Sequence, residues 1–484
     1  MKSGVIFSFS LLLIILARAQ ENGLSTAREL EQNGALKESF EAYEKAANAF
    51  YEAEAFEEYA SAYLRMANLA LQMGNAIQAK ELAERTLAFL EVENPAEIAK
   101  IAEAKTLLGR SLLSLAQNDD ALQVLLVAET KLEESEVKAT CLDAIGQAYT
   151  NNENFELAAQ YLERGLKMRR SLFGNKSIEA GNSFNNLGRV YATEDPLQAI
   201  IYFTRALNIY KTSLGENDRR TLRAKINIAF SNRELENYDE AIELLQSVLA
   251  AYERQFGKEN TNVAFVLSNI GRILKDQKKY EQTLVYQQDA LKIYIQLYGE
   301  KHQEVANTYY LIGEAHLANQ SYKTALSFYQ KSVYANLPTE NSKSDYDLPE
   351  MRNFLNGDVL LTCLRGKAYA LEYLHYQKSL NVKDLVAAVD TYAKCDDLIT
   401  EIRRKRLNER DKFRLGKLAK EIYESGIALS LNLSEGSLRK KKYQQKAFEF
   451  CERSKSSVLL EAITESKAKK FAGIPKNLVA LFFA

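Results

Sequence analysis

Tryptophan is absent from this 484-residue chain, and His (3), Cys (4), Pro (5) and Gly (21) are scarce. Three histidines and four scattered cysteines leave little material for a metal site. So few breakers among so many Ala, Leu, Glu and Lys argue against a strand-rich fold and for long helices. Neither sign of charge predominates: 63 basic residues face 64 acidic ones, a net of −1. That balance supplies no general field for nucleic acid or an anionic membrane. A Gly-rich phosphate loop, HExxH, CxxC and GxSxG are all missing, so metal, redox and hydrolase readings lack a motif, and no cofactor is expected. A single core rarely grows past about 250–300 residues, so the length calls for several domains or a repeat array.

Long apolar runs are also rare, and the clearest is N-terminal. Lys2 precedes the twelve-residue apolar run Val5–Leu16, and Ala17-Arg18-Ala19 places small residues at the −3 and −1 positions of a cleavage site. This is the layout of a secretory signal peptide over residues 1–19, with the mature chain starting at Gln20. Twelve residues fall short of the roughly 20 needed to span a bilayer. The expectation is therefore an exported protein, periplasmic or extracellular, with no membrane insertion after cleavage. Export permits disulfides. Cys141, Cys363, Cys395 and Cys451 nonetheless sit far apart within helical apolar patterns and read as buried thiols. Only Cys363 and Cys395 could face one another across a helix pair.

Self-comparison reveals a period near 42 residues. Asn185–Tyr191 (NNLGRVY) recurs as Ser268–Leu274 (SNIGRIL) and Tyr310–His316 (YLIGEAH). Gly109, Gly146, Gly188, Gly271 and Gly313 mark one position, filled by Ala27, Ala67 and Ala229 in the other copies. A second small residue follows eleven or twelve positions later (Ala79, Ala121, Ala158, Ala199, Ala241, Ala325, with Ser39 and Thr283 as variants). Four further on stands a large apolar residue: Tyr43, Leu125, Leu162, Phe203, Leu245 or Tyr329, with Ala83 and Gln287 as exceptions. Small residues let two antiparallel helices approach, and large ones a turn away fill the space beside them. Neither helix buries that face alone, so pairs must stack. Gly174, Gly215, Gly257 and Gly299, spaced 41, 42 and 42 apart, should each end a helix in a left-handed conformation. The polar residues after them should cap the next helix.

This pattern, G-x2-Y followed by A-x3-F-x2-A, resembles the tetratricopeptide repeat, in the longer 42-residue form of the kinesin-light-chain type. The resemblance covers about Ser25 to Ser332 in eight copies. It implies an all-α fold, a right-handed α-α superhelix of about ten helical hairpins.

The rhythm changes in the second half. The organisation expected is eight repeats over 20–335, a linker loop over 336–350, two longer hairpins over 351–471 and a short tail, 472–484. The ninth pair carries Gly366, Tyr369, Ala388, Tyr392 and Cys395, with about ten extra residues between its two small positions. The tenth places Ala447, Cys451 and Ser454 on its second helix. Ala447–Pro475, with its ERSKS, LLEA, ESKA and FAGIP segments, resembles the junction leading into the CHAT domain, a caspase-like module found after tetratricopeptide arrays. Only Lys476 to Ala484 follow, so no position exists for that family's catalytic His and Cys. The apolar ending Asn477–Ala484 fits either a truncated relative of a longer protein, the reading adopted, or a tail docked on the last pair.

The remaining candidates have bland explanations. Glu133-Glu134 and Asp119-Asp120 read as solvated acids, His302 as a cap and His316 as a core-edge residue. The basic runs Arg403–Arg406 and Arg439–Lys442 read as solvated faces or rim contacts to a partner. The binding hypothesis rests on first-helix residues near the Gly position but off the packed face, which would line a concave surface: Asn182, Asn185, Arg189, Arg223, Asn227, Arg233, Asn269 and Arg272. Asn186, Asn227 and Asn269 share one repeated position and could form a ladder. Asn can hold peptide amides through donor and acceptor, and Arg can add a carboxylate contact. The expected function is a protein- or peptide-binding scaffold with no catalysis of its own. The alternative is the repeat region of a CHAT-type peptidase lacking its catalytic domain.

Overall fold

The structure is a computed structural model that describes residues 23–339, 342, 344–405, 409–436 and 438–471, with the backbone alone for 405, 409–414 and 456–471. The signal-peptide segment 1–19 and the tail 472–484 lie outside the described residues. Among the described residues every regular element is a helix. The chain divides into two compact units at Ser213/Leu214.

The N-terminal unit comprises α1 (23–32), α2 (Leu36–Glu52), α3 (Phe56–Gln72), α4 (Ala76–Glu93), α5 (Ile98–Ser114), α6 (Asn118–Glu129), α7 (Glu136–Asn151), α8 (Phe155–Phe173), α9 (Ile178–Tyr191) and α10 (Pro196–Leu214). Its core lies between paired helices, at the small positions. A Cβ placed on Gly109 would lie 2.4 Å from the Leu125 side chain, one on Gly146 2.6 Å from Leu162, and one on Gly188 2.6 Å from Phe203. Any side chain there would drive the two helices apart, at a cost of about 1–3 kcal/mol. The variant Ser39 keeps the approach and adds a bond, its hydroxyl donating to the Ala27 carbonyl at 2.8 Å.

The C-terminal unit begins with α11 (Arg219–Glu234), α12 (Tyr238–Phe256), α13 (Thr261–Asp276), α14 (Tyr280–Tyr298), α15 (Gln303–Ala318) and α16 (Tyr322–Ala335). It continues with α17 (Gly357–Leu374), which runs into a π-helical turn, His375–Ser379, then α18 (Val382–Lys405), α19 (Glu409–Gly436) and α20 (Lys440–Phe471). The extra residues of the ninth pair lengthen the adjoining ends of α17 and α18 as well as that turn. The preceding loop, 337–355, is closed at its base. Asn336 accepts from the Leu355 amide at 3.0 Å and exchanges two 2.7 Å bonds with the Asn356 backbone.

The linker caps form as the polar pattern indicates. Ser177, Asp218, Asn260 and His302 each accept a backbone N–H at the start of the next helix, at 3.1, 2.8, 2.8 and 3.2 Å. The glycines before them differ from expectation. Gly174, Gly257 and Gly299 pair φ of 89°, 79° and 76° with ψ of 166°, 171° and 178°. That is an extended, glycine-only region and not the left-handed helical one. The chain must leave the helix straight to reach the next cap. The left-handed residues occur instead in the turns inside the pairs, mostly without glycine: Ala116, Glu153, Glu236, Lys278 and Gln320 have φ between 56° and 63°.

Two assignments in the later pairs change. At Gly366 the nearest side chain comes from the preceding pair. A Cβ there would meet the Tyr329 ring of α16 at 2.6 Å, the same ring that fills the space over Gly313. In the tenth pair the close approach is Gly426 against Phe450, so the buried large residue is Phe450, one position before the half-buried Cys451. Cys141, Cys363 and Cys395 are buried and all four thiols are free.

Candidate functional site: the first-helix face

In each unit the first helix of a pair carries polar residues one repeat apart that bond to one another. In the N-terminal unit Arg110 Nη1 donates to Asn68 Oδ1 at 3.0 Å, and Asn186 Nδ2 to Asp143 Oδ2 at 3.1 Å. Arg169 enters this row from α8, a second helix. Its Nη1 donates to Asp143 Oδ2 and to Ser183 Oγ, both at 2.7 Å. Burial pushes the Asp143 carboxyl above the usual carboxylate range, with Arg169, Asn186 and Arg110 pulling the other way. Asn182 is exposed and accepts from Tyr210 Oη at 2.8 Å. Arg189 is exposed and Asn185 half-buried, and both are engaged with neighbours.

In the C-terminal unit Arg233 grips Asp276 Oδ2 with Nε and Nη2, both at 2.6 Å. Lys275 stands 3.7 Å from Glu314, whose Oε1 accepts from Tyr329 Oη at 2.5 Å. Between these pairs Arg272 is exposed and has no ion pair among the described residues. Partial burial of its flanks and the nearby Arg233 charge hold its guanidinium below the ordinary range. Arg223 is exposed near Tyr252, and Asn227 is half-buried and engaged. Asn269 donates to the Phe265 carbonyl of its own helix at 2.8 Å. Asn186 and Asn269, at the same repeated position, therefore bond differently and do not build one ladder.

Asn68, Arg110, Asp143, Arg169 and Asp276 belong to this face without being among the residues expected there from sequence. For the pairs the available signal was complementary polarity at a separation of 42 or 43 (68 with 110, 143 with 186, 233 with 276). Arg169 sends no such signal, since it comes from the other helix of its pair.

No group of three or more His, Cys, Asp or Glu among the described residues is placed to hold a metal. A cleft of about 400 Å³ between α18 and α20 is lined by Asp396, Asp397, Lys446 and Arg453. Its central carboxylate, Asp396, is already met by Tyr423 Oη at 2.7 Å and Arg453 Nε at 3.3 Å.

Residues 137–212, 220–282 and 263–333 match the tetratricopeptide repeat family model. That central stretch is similar to tetratricopeptide-repeat arrays. No curated protein matches the chain. Among solved structures, the apo form of RapI is 14% identical and covers 82% of this chain and 98% of its own, with a TM-score of 0.53. The apo quorum sensor NprR from B. thuringiensis is 17% identical, covers 77% and 99%, and scores 0.47. A kinesin light chain from Podosopora anserina with nearly identical TPR-like repeats is 16% identical, covers 43% and 100%, and scores 0.39. At such identities the RapI likeness speaks for the helical-repeat fold alone.

Proposed function

We propose that the chain is an exported scaffold that holds an extended peptide or protein segment against its first-helix face and performs no chemistry of its own. The observation that carries this reading is Arg272. Its neighbours Arg233 and Lys275 are paired with Asp276 and Glu314, whereas Arg272 is exposed and has no ion pair among the described residues, with Arg233 opposing its charge and Tyr310 and Asp276 favouring it from a distance. A ligand carboxylate placed there gains charge-assisted hydrogen bonds from the exposed guanidinium. Helices fix the surface in advance, so the ligand bears most of the ordering cost. Export rests on the Val5–Leu16 run and the Ala17-Arg18-Ala19 site.

The test is a pull-down with the mature chain against a variant carrying Asn185→Ala, Arg189→Ala, Asn227→Ala and Arg272→Ala. The variant is expected to lose the principal partner. Retention of every partner would show that binding uses another surface.

A further inference from the structure

The basic run Arg439–Lys442 takes no part in that reading. It lies at the turn joining α19 to α20; the preceding hairpin, α17 and α18, turns over His375–Asn381. Asn432, one helical turn before the end of α19, donates to Tyr376 Oη at 3.2 Å. The two turns thus share one end of the C-terminal unit.

Their residues are of two kinds. Lys378, Lys383, Arg439, Lys440, Lys441 and Lys442 are all exposed. On the acidic side, Glu435 is exposed, but Asp384 is buried and spent on the Tyr346 and Ser379 hydroxyls. With a net charge of −1 over the whole chain, this excess of cations is a local feature. Among the cations stand bare apolar side chains: Leu438 is fully exposed at 108%, Leu380 is 74% exposed and Val382 55%. Leu380 also holds φ at 50° directly after the π-helical turn, a strained conformation for leucine. Tyr376 adds an amphipathic ring at the base of its turn, 45% exposed.

We propose that these two turns form a docking surface for an anionic lipid bilayer, one that enters the headgroup layer without spanning the membrane. Leucines on protruding turns find no matching pocket on a flat or convex protein, whereas the headgroup–acyl boundary accepts them anywhere. Five of the six cations are lysines, compact ammonium charges suited to a diffuse anionic surface more than to bidentate pairing with protein carboxylates. Tyrosine is favoured at the same depth.

The test is co-sedimentation of the mature chain, from Gln20, with phosphatidylcholine vesicles and with vesicles of one part phosphatidylserine to two parts phosphatidylcholine. Binding is expected to the anionic vesicles and to weaken with added salt. Lys440→Ala, Lys441→Ala and Lys442→Ala together should lower the partition coefficient about 100-fold, at about one factor of five per lysine near the surface. Leu380→Ser with Leu438→Ser should lower it about tenfold or more at unchanged salt dependence. All five positions are exposed, so an unchanged thermal melt verifies that the variants fold. Equal binding to both vesicle types, or to wild type and variants alike, overturns the proposal. So does binding to polyglutamate without binding to anionic vesicles, which would mark the surface as a site for an acidic protein.

Discussion

The Gln287 side chain turns over Gly271 and bonds Ser268 at both ends: Nε2 donates to the Ser268 carbonyl at 2.8 Å, and Oε1 accepts from the Ser268 hydroxyl at 3.0 Å. This departure from the repeat pattern is thus fully buried with both its polar atoms bonded. Gln287→Ala should cost about 2–3 kcal/mol, from a cavity and an unpaired hydroxyl together. Gln287→Leu with Ser268→Ala, which restores the apolar filling of the other repeats, should come within about 1 kcal/mol of wild type. Urea denaturation of the three proteins decides it. A double variant as unstable as Gln287→Ala would mean that the polar pair is irreplaceable.

The turns within the pairs hold Glu153, Glu236, Lys278 and Gln320 at positive φ, where a side chain is strained. Replacing any one with Gly should raise stability by up to about 1 kcal/mol. Gly174→Ala or Gly257→Ala should have the opposite sign and a larger size, because the extended positive-φ region admits no Cβ. Melting temperatures that fall for both sets would refute the distinction between the two turn types.

Lys367 is wholly buried, donating to Gln330 Oε1 and, at 2.7 Å, to the Asp347 carbonyl of the loop after α16. Burial lowers its ammonium pKa from 10.5 to about 7, against the opposing pull of Asp347 and Asp345. The folded chain therefore binds fewer protons than the unfolded one between about pH 7 and 10.5. Stability should rise with pH across that window, by about 1 kcal/mol per unit from this group. Lys367→Met should flatten the rise between pH 7 and about pH 9. Identical slopes for wild type and variant in chemical denaturation would exclude Lys367 as the source.

Arg169 and Asp143 form the most buried ion pair on the first-helix face, with side chains 8% and 14% exposed. Removing one partner strands the other, so Arg169→Met should cost about 3–5 kcal/mol. Adding Asp143→Leu should recover most of the loss, since paired charges and apolar replacements are often equivalent in a core. The coupling energy from this double-mutant cycle is the measurement, and a value near zero would show that the pair is dispensable.

Much of the architecture was legible because it repeats. Glycine opposite Leu125, Leu162 or Phe203 is a size rule written once per pair, and the caps at Ser177, Asp218, Asn260 and His302 follow from local polarity. What escaped is what happens once. Gly366 looks like the other helix glycines, yet the Tyr329 ring of the helix before it lies over it. The choice of Phe450 over Cys451 turns on a single position in α20, where no neighbouring copy fixes the phase. On the first-helix face the row of candidates was legible by spacing. Which of its charges are neutralised was not, because Asp276 reaches Arg233 from the adjacent repeat and Arg169 reaches Asp143 from the other helix of the same pair.

Tyr329 has a further consequence. One ring fills the space over both Gly313 and Gly366, and one turn away Ser332 Oγ lies 2.5 Å from the Ala306 carbonyl and 2.6 Å from Cys363 Sγ. Helix α16 is keyed into the pairs on either side of it by the same few atoms, so neither pair can open while the other stays closed. In a linear array most repeats can fray independently. Here the eighth and ninth pairs should exchange their amide hydrogens with a single opening free energy, a cooperative block within an otherwise divisible chain.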